Sequence, residues 1–266
     1  MQQVRASSIV RARKAGFGWD IITIAERALR SVVRDPEVTV PALVIPVFFF
    51  IINVGALQDL AEQNTGMDFK AFQLPVAVMF AVTGVSRAIT VVTDIQSGYF
   101  DRLAITPVNR LALLLGLMVA DLSLVIALTV PVLFMGYAVG VRFETGPAGI
   151  ILFMLLGGLW GLMFTGFPYA IALKTGNPAA VNMTFLLFFP FLFLTTIFLP
   201  RDVMTGWLAT VVVYNPVTYI LAAMRSLITE GWQPAVLLQG VGATLAVGVV
   251  SLGLAFAALK GRATQK

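Results

Sequence analysis

Between residues 38 and 259 the chain repeatedly strings together about 20 apolar residues, the length a helix needs to cross the hydrocarbon core of a bilayer. No other feature restricts the fold so strongly. Inside lipid a backbone must satisfy its own hydrogen bonds, and a single segment does so only as a helix. The balance of residues agrees. Of 266 residues, 59% are hydrophobic and 12% are charged, whereas a soluble domain carries about 25% charged residues. That leaves too little polar surface to coat a globule of this size. The expected fold class is an all-α polytopic membrane protein.

Residues 1–16 are polar and basic and read as a cytoplasmic tail. No apolar core and cleavage site follow to make it a signal peptide. Residues 17–36 differ. At about 100° per residue, Phe17, Ile21 and Val32 fall on one side and Arg27 and Arg30 on the other, which predicts an amphipathic helix lying in the membrane interface. Asp35-Pro36 ends it. Spans are then expected at about 38–57, 71–92, 111–139, 146–173, 178–199 and 234–259. Residues 200–233 contain a further apolar run, broken in its middle by Asn215-Pro216 into pieces too short to cross. They are expected to dip into the outer leaflet and return. With six spans, Arg5, Arg11, Arg13, Lys14, Arg27, Arg30, Arg34, Arg102, Arg110, Lys174, Lys260, Arg262 and Lys266 gather on one side. Lys70, Arg142, Arg201 and Arg225 gather on the other. The positive-inside rule then places both termini in the cytoplasm of a plasma-membrane protein. The net charge of +5 is accounted for by this topology and does not indicate a nucleic-acid partner.

The chain lacks histidine and cysteine. Thiolate chemistry, zinc motifs and serine–histidine triads are therefore excluded. No G-x-x-x-x-G-K-S/T run is present to cradle a nucleoside triphosphate. A self-sufficient enzyme is not expected, nor a cofactor bound by this chain.

The longest water-facing connection within the span region on the basic side is residues 94–110. A plain turn needs only a few residues. This one holds Gly98, Tyr99, Phe100, Asp101, Arg102, Leu103, Thr106 and Pro107. Its aromatic pair and exposed aliphatic residues flanked by charge read as a docking face for a partner.

The run GYFDRLAITPVNRLALLLG, followed by Ala120-Asp121, resembles the cytoplasmic loop and third-span start of ABC type-2 exporter permeases, nearest to their daunorubicin-resistance-like branch. The stretch FLPRDVMTGWLATVVVYNPVTYILAAMRSLITEG, with Pro200, Trp207, Asn215, Pro216 and Tyr219, is similar to that family's external re-entrant helices. The likeness extends from about residue 17 to the end, and makes 37–266 the transmembrane domain. It implies a half-transporter: two copies, or one copy with a related permease, joined to two nucleotide-binding subunits that hold ATP and magnesium. The interface helix and the 94–110 loop would contact those subunits. Amphiphilic drugs, lipids or glycolipids, and polysaccharides are the exported classes the resemblance allows.

Asp121 is the acidic residue well inside a span, where a charge costs about 2.5–3.5 kcal/mol on insertion scales. The sequence offers Arg87 as its structural partner, with a gating role as the alternative. In the phenylalanine-rich run 184–193, Phe185, Phe188 and Phe189 are candidates to face substrate, and helix packing explains them equally. Gly157, Gly158, Gly161 and Gly166 predict close helix approach, within one subunit or between two. Two other classes stay open. A secondary transporter would need an inverted repeat and several midplane charges. A membrane scaffold would need no ATPase.

Overall fold

The computed structural model describes residues 36–83, 86–98 and 110–264. The tail, the interface helix as far as Asp35, and residues 99–109 of the expected docking loop lie outside the described residues. Those described are almost wholly helical. In chain order the helices are α1 (Pro36–Thr65), α2 (Phe69–Thr83), α3 (Ala88–Gln96), α4 (Arg110–Ala138), α5 (Gly146–Phe164), α6 (Gly166–Thr175), α7 (Pro178–Phe193), α8 (Gly206–Tyr214), α9 (Pro216–Thr229) and α10 (Pro234–Thr264). A 3-10 turn, Arg201–Val203, precedes α8.

Five stretches are long and apolar enough to cross a bilayer: Val40–Thr65, Phe69–Gln96, Leu114–Ala138, Gly146–Thr175 and Pro234–Arg262. The first runs further than expected, because Asn64 and Thr65 turn their side chains back onto the carbonyls of Leu60 and Ala61 and prolong the helix into the polar segment. The second and fourth are each made of two helices. The expected fifth span, 178–199, is helical only over the 16 residues of α7. It leaves the helix at Leu194, with φ −84° and ψ 37°. Helices α8 and α9 are bent by 83° about Asn215, the break expected from Asn215-Pro216. Asn215 caps α9 by accepting from the Val217 N–H, and Pro216 takes the first helical position, where its missing N–H costs nothing.

One end of the bundle carries Pro36, Gln96, Arg110, Thr175 and Thr264; this is the terminal end. The other carries the α1–α2 and α4–α5 turns and the bent pair. The end of α9 is fixed there by the Glu144 and Thr145 N–H groups, which donate to Ile228 and Leu227. Trp207, Tyr214, Trp232 and Tyr137 are exposed at this end, where an aromatic belt would meet the lipid headgroups.

The buried apolar residues fall into two main clusters at different levels. The larger joins α2, α4, α5 and α9 toward the bent-pair end and includes Leu74, Met79, Trp160, Ile220 and Met224. The smaller joins α3, α4, α6 and α10 toward the terminal end and includes Val92, Leu117, Tyr169, Leu173 and Leu259. The glycine run packs within the chain. A Cβ on Gly161 would stand 3.0 Å from Val125, and one on Gly166 would stand 2.5 Å from the main chain of Ser251. Gly166 thus lets α6 and α10 touch backbone to backbone.

Candidate functional site

The two main cores meet where two spans break. In the second span Ser86 and Arg87 stand outside a helix, just ahead of α3 at Ala88; the fourth breaks between Phe164 and Gly166. A helix break inside a bilayer leaves main-chain groups that protein must satisfy. Side chains at this level meet part of that need and bond one another. Ser251 on α10 donates to the Met163 carbonyl. Trp160 Nε1 donates to Thr83 Oγ1 at 3.0 Å. Ser86 and Thr165, one from each break, lie with their hydroxyls 3.0 Å apart.

Asp121 on α4 binds both breaks. Its Oδ1 accepts from the Arg87 main-chain N–H at 2.8 Å. Its Oδ2 accepts from Thr165 Oγ1 at 2.9 Å and from the Tyr169 hydroxyl at 2.7 Å. Thr165 has one proton and gives it to the carboxylate, so Ser86 donates to Thr165. Asp121 is 1% exposed. The bond joining it to Arg87 runs through the main chain of Arg87, at the start of α3, and the Arg87 side chain is itself buried. One carboxylate therefore ties three spans at a single level.

Helix α3 leads from this junction toward the 94–110 loop. It stays helical through Gln96, so Asp94, expected in the water-facing connection, is in its last turn and buried. Gln96 Nε2 donates to the Gly176 carbonyl at 3.0 Å and clips α3 to the end of α6. Gly98 follows with φ +70°, a left-handed conformation suited to glycine. Tyr99, Phe100, Asp101, Arg102, Leu103, Thr106 and Pro107 lie outside the described residues, as do Phe17, Ile21, Arg27, Arg30 and Val32.

A second buried charge sits toward the other end. Arg225 on α9 donates from Nε to the Phe72 carbonyl (3.0 Å), from one terminal nitrogen to Thr196 Oγ1 (2.7 Å) and from the other to the Thr196 carbonyl (2.7 Å). Its guanidinium carbon lies 3.5 Å from the centre of the Phe72 ring. Gln73 donates to the Ile197 carbonyl, and Asn215 to those of Phe191 and Leu194. These three side chains hold the stretch that follows the early end of α7. Tyr219 donates to the Val213 carbonyl across the bend of α8 and α9. Pro200 opens the 3-10 turn, and Trp207 is exposed.

Counting charges by side places Arg225 among the external ones, yet its side chain is buried. The signal for this was a charge inside the apolar run AAMRSL. Gln73, Thr165 and Tyr169 carry no such mark in the sequence.

Three cavities accompany these features. One of about 510 Å³ lies beside Arg225, with Asp68, Arg201, Asp202 and Glu230 among its walls. One of about 230 Å³ lies at the breaks, lined by Thr83, Ser86, Ile89, Phe164, Pro168, Val181, Asn182, Thr184 and Phe185. The third, of about 370 Å³, is lined by Trp160, Phe164, Phe167, Ile171, Thr184, Phe188, Phe191, Pro216, Val217 and Val247. Of the three phenylalanines singled out from the sequence, Phe185 and Phe188 line cavities. Phe189 packs among Phe80, Phe185 and Phe193.

A family model described as ABC-2 type transporter matches residues 20–229. The chain belongs to the ABC-2 type transporter family. It is similar to the daunorubicin resistance ABC transporter permease protein DrrB1 of Streptomyces coeruleorubidus, at 28% identity over 208 residues, covering 76% of this chain and 72% of that one. It is also similar to the probable doxorubicin resistance ABC transporter permease protein DrrC of Mycobacterium tuberculosis, at 26% identity over 209 residues, covering 77% and 75%. Permeases of the ABC-2 type are membrane subunits and are not themselves catalytic. In this permease the matched segment contains the broken spans, Asp121 and the bent pair, and ends at the last residue of α9.

Proposed function

We propose that the chain is the membrane subunit of an ATP-driven exporter of amphiphilic drugs, lipids or glycolipids. In this reading two copies, or one copy and a related permease, assemble with two ATP-binding subunits that carry ATP and magnesium. Both termini face the cytoplasm of the plasma membrane, and the bent pair is an external re-entrant excursion between spans five and six. The names of the relatives favour a drug-like cargo over a polysaccharide. The observation that carries the reading is the path of bonds from the loop inward. Residues 94–96 form the last turn of α3, Ser97 and Gly98 turn out of it, α3 is clipped to α6 through Gln96 and Gly176, and the Arg87 N–H at its start is bonded to Asp121. A push on the loop therefore reaches the third and fourth spans through rigid helix.

The test joins crosslinking and transport on the same samples. Cysteines placed singly at positions 99–106 should crosslink to the ATP-binding subunit. Tyr99→Ala and Leu103→Asp should lower export and substrate-stimulated ATP hydrolysis while leaving the amount of permease in the membrane unchanged. No crosslink at any position, together with parental transport by both variants, would refute the coupling role.

A further inference from the structure

We propose that the 510 Å³ cavity beside Arg225 holds the headgroup of one resident phosphatidylethanolamine, a lipid that fastens the bent-pair end and is not the exported cargo. The volume lies within the roughly 300–1,000 Å³ of small-molecule pockets. Charge, level and ring geometry define the occupant.

Arg201 and Arg225 share the cavity wall with Asp68, Asp202 and Glu230. Among the described residues no ion pair joins any two of these five. Arg201, Asp202 and Glu230 are exposed, and their side chains make no hydrogen bond there. Asp68 accepts only through Oδ1, from the Lys70 and Ala71 N–H groups at the start of α2. Arg225 is the deciding member. It is 8% exposed, and a buried charge is ordinarily paired with an opposite one, yet its three bonds all go to neutral acceptors. A guanidinium has five N–H donors, so two remain unspent. Charges of both signs that stand apart around one space call for an occupant that carries both signs. A divalent cation does not fit. No three carboxylates among the described residues are placed to hold one, and it would leave Arg225 uncompensated.

The cavity is walled by the α1–α2 turn, the 3-10 turn, α9 and the start of α10. These lie at the end where Trp207, Tyr214 and Trp232 are exposed, the level of an aromatic belt and of lipid headgroups. Met67, Ala222 and Val236 add apolar wall, against which the glycerol and the first methylenes of a lipid can rest.

The rings decide between the common zwitterions. A quaternary ammonium is held by a cage of open aromatic faces. Here one face of Phe72 is covered by the Arg225 guanidinium, 3.5 Å from the ring centre. That leaves Tyr219, and one ring is no cage. The wall offers carboxylates instead, which accept N–H bonds. They suit the primary ammonium of ethanolamine, with the phosphate on Arg201 and Arg225. The site does not rest on the export reading, and it is tested on the chain alone, without ATP.

The full chain is purified in detergent, stripped of lipid and titrated with phosphatidylethanolamine, phosphatidylcholine or phosphatidylglycerol of the same acyl chains. Bound lipid is counted by native mass spectrometry, and stability is followed as the melting temperature. One phosphatidylethanolamine per chain should be retained, about ten-fold tighter than either other lipid, the size of a charge-assisted hydrogen bond. It should also raise the melting temperature. Asp202→Asn combined with Glu230→Gln should bring phosphatidylethanolamine down to the level of phosphatidylcholine. Arg201→Gln should weaken both, since it removes a contact to the shared phosphate. These three side chains are exposed and bonded to nothing in the fold, so without lipid the variants should melt with the parent. Arg225 is left intact, because it also holds Phe72 and Thr196. Equal retention of the three lipids, or a preference that survives the paired substitution, makes the bound lipid part of the surrounding shell and overturns the site. Glycerophosphoethanolamine, the same headgroup without acyl chains, serves as competitor. Displacement only by a large excess supports a lipid; displacement at equal concentration overturns the lipid in favour of a free phosphoethanolamine.

Discussion

Asp121 and Arg225 are both buried charges in an apolar bundle, and they are held in opposite ways. Asp121 accepts from one main-chain N–H and two hydroxyls, drawn from the start of α3 in one span and from the break residue and the helix after it in another. Arg225 donates to two carbonyls and a hydroxyl, all neutral. The carboxylate gathers donors at a joint. The guanidinium covers acceptors where α7 has stopped and its continuation runs without helical bonds. Both solve the requirement that backbone at membrane depth be satisfied by protein, but with different mechanical results. A joint held by side-chain hydroxyls can open by exchanging one hydroxyl partner for another. A planar fork locked on fixed carbonyls and stacked on Phe72 resists displacement. On the proposed coupling the first region would transmit movement while the second stays still.

That contrast can be broken most forcefully at Arg225. Arg225→Met keeps the bulk but strands three buried acceptors. It should cost about 4 kcal/mol in detergent-titrated unfolding, and Arg225→Lys about half as much, because an ammonium cannot span the same fork. If Lys restores full stability, the fork is not what holds the 194–199 segment.

Gly166→Ala attacks the joint without touching Asp121. The new methyl would meet the Ser251 main chain at 2.5 Å. It should force α6 off α10 and cost about 3 kcal/mol. An unchanged melting temperature would show that the two backbones part freely.

Asp121→Asn should cost less, about 2 kcal/mol, with a specific defect. Two donors point at Oδ2 and one at Oδ1, so the amide oxygen settles on Thr165 and Tyr169. The amide nitrogen then faces the Arg87 N–H and frees the start of α3. Substrate-stimulated ATP hydrolysis should fall further than stability does. Equal loss in both would make the junction a structural fastening only. Tyr169→Phe, which removes one of the three bonds, should be the mildest, at about 1 kcal/mol, and a double-mutant cycle with Asp121→Asn should show the two effects to be coupled.

Much of the bundle was legible in the sequence because hydrophobic length is a strong signal and Asn215-Pro216 an unambiguous break. Asp121 was legible for the same reason: a charge in an apolar run stands out. Arg225 stood out equally. Counting by side puts it with the bent pair, where it lies, but says nothing of its side chain, which is turned inward onto carbonyls. The break at Phe164 is marked by Gly166 and Pro168, the proline having no N–H to give the Phe164 carbonyl. The break before Ala88 gave no comparable sign, since Asp121, which bonds its backbone, lies in another span that no local window contains. The early end of α7 was hidden in the same way: residues 194–199 are as apolar as the helix before them, and what releases them is distant Gln73, Asn215 and Arg225.

The level of the two breaks also bears on the host membrane. An unbroken helix meets a thinner or thicker bilayer by tilting as a rod or by deforming the lipid around it. Spans two and four, jointed at one depth, can instead change the angle between their halves, and their shared hydroxyl contact makes them do so together. Thickness then becomes an input to the same joint that, on the proposed coupling, would receive force from the loop. Reconstitution into lipids of graded acyl length should accordingly shift transport in the parent more than in a variant whose joint has already been forced apart, such as Gly166→Ala.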